Sequence, residues 1–167
     1  MSKIVPIVIT ILSCQNRYLF IQRKNPPYEG LWSMVGGKVN VGEHITEGAI
    51  REVMEETGAK KVDNYDYRGI VSERLVDAED NLLSQFLIFV GHASIDSFTQ
   101  NHREGDLGLF SIDEIHENKD QFLPSDYEMF QRFLEKANRT SVHEAELLQD
   151  DKGYHLVYYR EPDNASQ

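Results

Sequence analysis

Apolar and polar positions follow two different periods along this chain. Residues 3–12 and 17–23 are short runs rich in β-branched and aromatic side chains, separated by the polar stretch 13–16, and they predict two strands joined by a tight turn. Pro26, Pro27 and Gly30 interrupt any regular ladder, so 25–30 reads as a loop, after which Leu31 to Val35 leads into Gly36-Gly37. Between about 47 and 57 the apolar positions change to helical spacing, with Thr46 as the predicted N-cap and Gly58 closing the last turn. Strands are predicted near 66–75 and 82–93, and a short one around 107–110 that runs into Ser111, a helix N-terminus. A second full helix is expected over 126–137, capped by Ser125, with Phe130, Phe133 and Leu134 on its apolar stripe. Last, 142–148 and 154–160 flank the polar turn 149–153 and read as a terminal hairpin. Strands and helices mixed in this order imply an α/β or α+β fold.

The 167 residues suit one domain able to bury a core unaided, and 40% hydrophobic residues with 8 Phe and 8 Tyr exclude a disordered chain. Lys and Arg number 17 against 28 Asp and Glu, a formal net charge of -11, which argues against long nucleic acids and anionic membranes as partners. A single cysteine, Cys14, excludes an internal disulfide and reads as a small core hydrophobe. The apolar start has one basic residue, is broken by Pro6 and lacks a small-residue cleavage site, so it reads as a buried strand and not as a leader or a membrane span. A soluble, cytoplasmic protein is expected.

Candidate chemistry concentrates in 37–59. At 100° per residue Ala49, Ile50, Val53 and Thr57 share one flank of the predicted helix, while Glu52, Glu55 and Glu56 fall on another at i, i+3 and i+4. Like charges so placed repel, and two of them face the negative end of the helix dipole. A hard divalent cation would reverse that cost: Mg²⁺ or Mn²⁺ prefers carboxylate oxygens and leaves coordination room for phosphates. Gly36-Gly37 allows close approach of backbone and a carbonyl ligand, and Arg51 stands where its forked donors orient a carboxylate. On the glutamates alone, a solvated acidic helix face explains the pattern equally simply.

The complete spacing is more specific. Gly37, five residues, Glu43, seven residues, then Arg51-Glu52-Val53-Met54-Glu55-Glu56-Thr57-Gly58 resembles the signature of the Nudix hydrolases at every fixed position. Such a pattern arises by chance about once in 10⁸ windows at average residue frequencies. The apolar first strand, the Trp32 approach to the paired glycines and the late Gly108-Leu109-Phe110-Ser111 extend the likeness over about 3–137. The resemblance implies an α/β/α sandwich with a mixed sheet over 1–140, and the hairpin extension and tail over 141–167 lie beyond the usual family core. It also implies hydrolysis of nucleoside diphosphate linkages with Mg²⁺ or Mn²⁺. Glu52, Glu55 and Glu56 would then be metal ligands with the Gly36 carbonyl, Arg51 would orient Glu52, and Glu43 would brace the loop. Glu52 is the first candidate for general base, with Glu104 and then Asp106 as alternatives from a downstream loop. Val35 stands where relatives often have proline, which changes loop rigidity and removes no ligand.

Upstream and downstream signatures of ADP-ribose, dinucleoside polyphosphate and coenzyme A relatives are missing. The expected substrate class is therefore a nucleoside triphosphate of MutT type, oxidised nucleotides included, with other nucleoside diphosphate derivatives or a non-catalytic nucleotide sensor as alternatives. Arg23 and Lys38 are candidate phosphate contacts, and Phe20, Tyr28, Trp32 or Phe86 candidate base-stacking residues, each of which core packing would equally explain. The histidines at 44, 92, 102, 116, 143 and 155 show no zinc spacing. The tyrosine-rich hairpin is expected either to pair edges with a second copy, giving a homodimer, or to add a lid or edge strand to its own sheet.

Overall fold

The structure, a computed structural model, describes residues 3–100, 104–136 and 141–160. In chain order the elements are β1 (Ile4–Cys14), β2 (Arg17–Arg23), β3 (Trp32–Lys38), α1 (Ile45–Thr57), β4 (Asp63–Asp77), β5 (Leu82–Ser94), β6 (Gly105–Phe110), α2 (Ile112–Glu117), α3 (Pro124–Phe133), β7 (Ser141–Asp150) and β8 (Gly153–Arg160). The strands form one mixed sheet in the order β6-β2-β3-β1-β5-β4-β7-β8. β1 lies at its centre, parallel to β5 and antiparallel to β3, with Ile7 opposite Ile88 and Ile9 opposite Gly36. Both of its faces are covered, which is why Val8 to Leu12 is buried throughout and apolar except at Thr10.

Successive side chains go to opposite faces of the sheet. Ile11, Phe20 and Met34 point to a core closed by Ile115 of α2 and Met129, Phe130 and Phe133 of α3. Their neighbours Leu12, Leu19, Ile21 and Val35 point to the other core, closed by Val53 of α1. The result is the α/β/α sandwich with a mixed sheet that the resemblance implied. Among the described residues no helix is long and apolar enough to cross a membrane.

Two helix starts differ from expectation. α1 begins at Ile45, capped at His44 and not at Thr46, because the Glu47 carboxylate accepts the His44 backbone N–H at 2.8 Å and draws the first turn back. Gly58 closes it in the left-handed conformation, φ 68°, as predicted. Pro124 takes the first helical position of α3, so Leu123 precedes the helix and Ser125 lies inside it, buried. Asp126, one residue further, spends its carboxylate across the layer, accepting the Met34 backbone N–H at 2.7 Å. Ala137, the predicted last residue of this helix, His102 and the tail 161–167 lie outside the described residues.

The terminal hairpin joins the sheet of its own chain. β7 pairs in parallel with β4, from Gly69 opposite Ser141 to Asp77 opposite Gln149, and β8 pairs antiparallel outside it. Leu147, fully buried, packs with Tyr28, Leu75 and Leu123, and Tyr154 and Leu156 lie against the same cluster. The hairpin thus adds two strands to the β4 edge of its own sheet.

Two measurements check this account. Leu147→Ala should lower unfolding free energy by about 2–5 kcal/mol, the usual cost of emptying a well-packed leucine site. A change under about 1 kcal/mol in chemical denaturation would mean that the hairpin is not integral to the core. Burial holds the Asp126 carboxyl up at about 7, against an ordinary 3.8. Its neutral form is thus favoured on folding, and the stability this contributes is complete below the unfolded value and is lost as pH rises through about 7. Asp126→Asn keeps an acceptor for Met34 and cannot ionise, so its melting temperature should decline less than the wild type's between pH 5 and 8; parallel curves would refute the assignment.

Candidate active site

The paired glycines end β3 where no side chain fits. A Cβ on Gly36 would lie 2.0 Å from the Val8 carbonyl oxygen, and one on Gly37 would lie 2.5 Å from the Glu52 carboxylate. β3 therefore runs against β1 on one side and lets α1 come down onto it on the other, bringing glutamates of the helix to the backbone of the strand.

Arg51 organises those glutamates. Its Nε and Nη2 donate to Glu43 at 2.6 and 3.0 Å, Nη1 donates to Glu52 at 2.6 Å and to Glu55 at 3.3 Å, and Nη2 also reaches the Lys38 carbonyl at 3.0 Å. Glu43 accepts the Asn40 backbone N–H as well, and these bonds, Arg51 first, hold its carboxyl down at about 2. Glu43 thus ties the loop to the helix, the bracing role expected of it. Glu52 is half-buried, and burial raises its carboxyl above the ordinary range although Arg51 pulls it down.

Glu56 faces inward. It is 6% exposed, accepts the Gly36 N–H at 3.1 Å and shares a hydrogen bond with Glu104, so burial and that contact lift its carboxyl well above the usual carboxylate range. A bond between two carboxyls requires a proton, and a cation placed there would take the proton's role. Glu104 is delivered by the turn before β6, where its carbonyl accepts from the Lys24 N–H at 3.2 Å and Gly105 abuts the Gln22 carbonyl. Asp106, the other loop candidate, is ion-paired with Lys24 at 3.3 Å.

These groups open into a cleft of about 460 Å³, within the range of small-molecule sites. Gly36, Gly37, Lys38, Glu52 and Glu104 line one end of it. Arg23 and Phe86 also line it, and the Arg23 Nε donates to the Pro27 carbonyl at 3.0 Å. Trp32 and Phe20 are elsewhere: Trp32 packs edge-on to Phe110 with ring centroids 4.9 Å apart, and Phe20 is wholly buried against Phe122. Core packing accounts for both rings.

The donor set suits a hard divalent cation. Glu52, Glu56 and Glu104 are carboxylates, the Gly36 carbonyl is a further oxygen, and no sulfur or imidazole intrudes. Among the described residues, no three His, Cys, Asp or Glu side chains are drawn up at ligating spacing, and the Glu55 side chain is 60% exposed beside Arg51. The fit lies in the chemistry of the donors and in the close contact between the Glu56 and Glu104 carboxyls, which a cation would relieve.

Sequence reasoning missed Glu73 on β4 and Asp126 on α3 in the cleft's deeper wall, and it named Tyr28 as a base-stacking candidate where the structure has its hydroxyl bonded to Glu73. A signal was present, since Glu73 shares the inward register of Val71 and Leu75. Burial raises the Glu73 carboxyl, and burial with Glu73 alongside raises the Tyr28 phenol. Tyr28 is buried at φ 73°, a left-handed conformation that costs a non-glycine residue on the order of 1–3 kcal/mol and persists only where its surroundings enforce it. A second cleft, about 630 Å³, lies between β8, α3 and Glu29, away from the glutamates of α1.

Residues 1–133 match the NUDIX domain family model. Among curated relatives, an uncharacterized Nudix hydrolase of Bacillus subtilis, YvcI, is 30% identical over 64% of this chain and 64% of its own length. An ADP-ribose pyrophosphatase of Methanocaldococcus jannaschii is 44% identical over 29% of this chain and 28% of its own, and a putative 8-oxo-dGTP diphosphatase of Bacillus subtilis 40% over 30% and 32%. The chain thus spans less than two thirds of the length of these curated relatives. Among solved structures, the MutT protein of Bacillus halodurans superposes with TM-score 0.73 and 26% identity over 95% of this chain and 100% of that one. A bifunctional NMN adenylyltransferase/ADP ribose pyrophosphatase of Francisella tularensis, complexed with AMP and a Mn ion, shares the fold at TM-score 0.63 and 19% identity over 80% and 42%. With the glutamate helix, its arginine and the paired glycines in place, and four fifths of its length matched by the family model, the chain belongs to the Nudix family.

Proposed function

We propose that this protein is a divalent-cation-dependent hydrolase of the pyrophosphate linkage in small nucleotides, and that its substrates are nucleoside triphosphates, oxidised ones included. The observation that carries this reading is that Glu52, Glu104 and the Gly36-Gly37 backbone line an open cleft while the buried Glu56 bonds to Gly36 and Glu104. Glu52, Glu55 and Glu56 with the Gly36 carbonyl would hold Mg²⁺ or Mn²⁺, and Glu104 offers one more oxygen. A bound cation supplies charge neutralisation of the pyrophosphate and a more acidic water. Glu52 takes the proton of the attacking water; Arg51 grips one of its oxygens and fixes its rotamer, leaving the other to act. Arg23 and Lys38 bring positive charge to the cleft for the phosphates. The putative 8-oxo-dGTP diphosphatase among the relatives supports the triphosphate class. The ADP-ribose pyrophosphatase favours a second reading, hydrolysis of ADP-ribose. The net charge of -11 and single cysteine suit action in the cytoplasm.

The test is a panel of nucleoside triphosphates, 8-oxo-dGTP and ADP-ribose, with Mg²⁺ or Mn²⁺ and product identification. Turnover of triphosphates is expected, turnover of ADP-ribose alone would select the second reading, and no turnover of any member would end the hydrolase assignment. Glu52→Gln should lower kcat by about 10²–10⁴-fold with an unchanged melting temperature, and near-normal kcat would remove Glu52 from the role of base. Gly37→Ala tests the close approach: its methyl group must displace the Glu52 carboxylate, so kcat should fall by about 10²-fold in a folded protein. An alanine variant as active as wild type would show that this contact is not required.

A further inference from the structure

The deeper end of the cleft holds a group that phosphate hydrolysis does not use. Glu73 is 2% exposed in a register of core residues, and its Oε1 accepts from the Tyr28 hydroxyl at 2.8 Å. Its Oε2 has no hydrogen-bond partner among the described residues, although the Ser125 hydroxyl stands close enough to lower the carboxyl's pKa. A buried carboxyl oxygen without a donor is costly, and an apolar side chain of the same length would fill this place better if packing were its purpose. The chain also holds Tyr28 in a left-handed backbone conformation and braces it with the hairpin: the Tyr154 ring meets the Tyr28 ring edge-on at 5.0 Å, and the Tyr154 hydroxyl donates to Glu29 at 3.0 Å. Asp126 lines the same wall.

Charge and distance orient a substrate along the cleft. Glu73 on β4 is three strands removed from Gly36 on β3, about 14 Å at ordinary strand spacing. The buried Glu73 carboxyl at that end disfavours phosphate and suits N–H donors, so phosphates belong at the Gly36 end and the base at the Glu73 end. Phe86, directly opposite Glu73 in the sheet and lining the cleft, offers an apolar face there.

We propose that Glu73 is a specificity-determining residue whose free oxygen accepts a hydrogen bond, directly or through one water, from an exocyclic amino group of the substrate's base. Tyr28 is its positioning residue, and the C-terminal hairpin, which lies beyond the family-matched segment, supports Tyr28. The inference rests on the nucleotide-hydrolase reading and adds which bases it accepts: those bearing an amino group over those that lack one.

The experiment compares kcat/KM within pairs that differ at the amino group: GTP with ITP, ATP with purine riboside triphosphate, and CTP with UTP. Wild type should favour the amino-bearing member of at least one pair by about 10–100-fold, the range expected when a charged acceptor loses its donor. Glu73→Met should reduce that ratio to about threefold or less, chiefly by raising KM for the amino-bearing member. Glu73→Gln, which keeps an acceptor, should restore part of it. Because Glu73→Met also strands the Tyr28 hydroxyl, the double variant Tyr28→Phe/Glu73→Met, in which both partners become apolar, is measured beside it with its melting temperature. Equal kcat/KM within every wild-type pair, or a preference that survives in the folded double variant, overturns the proposal while leaving the hydrolase reading intact. Absence of turnover on all six nucleotides overturns the proposal, and the hydrolase reading falls with it only when 8-oxo-dGTP and ADP-ribose are not turned over either.

Discussion

One guanidinium joins the parts on which this site depends. Arg51 reaches Glu43 in the loop, Glu52 and Glu55 on its own helix and the carbonyl of Lys38 at the end of β3, so loop, helix and strand share a single set of donors. Arginine suits this because its charge is permanent and its donors are fixed in a plane. A lysine could neutralise one of these carboxylates but could not hold three at once. The arrangement also sorts the glutamates by role. The carboxyl most tightly gripped, Glu43, is pinned as an anion and becomes scaffold, whereas those less fully paired, Glu52 and Glu56, carry raised pKa values toward the cleft.

The glycines at 36 and 37 set the distance at which this happens. With no Cβ on either, strand backbone touches β1 on one side and the Glu52 carboxylate on the other. Chemistry that needs carboxylates and a main-chain carbonyl around one point thus becomes a packing problem between a helix and a strand, solved by the absence of two methyl groups. Sequence spacing reports this so clearly because each fixed residue answers to a steric or charge requirement of its own.

Legibility in the sequence followed locality. The strands, the glutamate helix and its glycine stop were readable because each depends on a few consecutive residues. The caps at Thr46 and Ser125 were misread for a local reason: Glu47 and Pro124 offered better starts one or two residues earlier. Trp32 looked like a base-stacking residue from its neighbours, yet Phe110, far along the chain, claims its ring. The deeper wall was the least visible, since residues 28, 73, 126 and 154 meet only after the sheet is assembled. A lone glutamate in an apolar alternation was its one trace.

The sheet order carries a consequence for how such a protein changes over time. The strands that bear the reacting groups, β3 and β6, lie in one half of the sheet, and the appended pair β7 and β8 lies at the opposite edge, packed on the cluster of Tyr28, Leu75 and Leu123. Mutations in the added hairpin can therefore reshape what the cleft admits while the glutamates keep their geometry. Selectivity is free to drift at one margin of the molecule under a reaction centre that stays fixed, which gives a lineage room to explore new small molecules without first losing its catalyst.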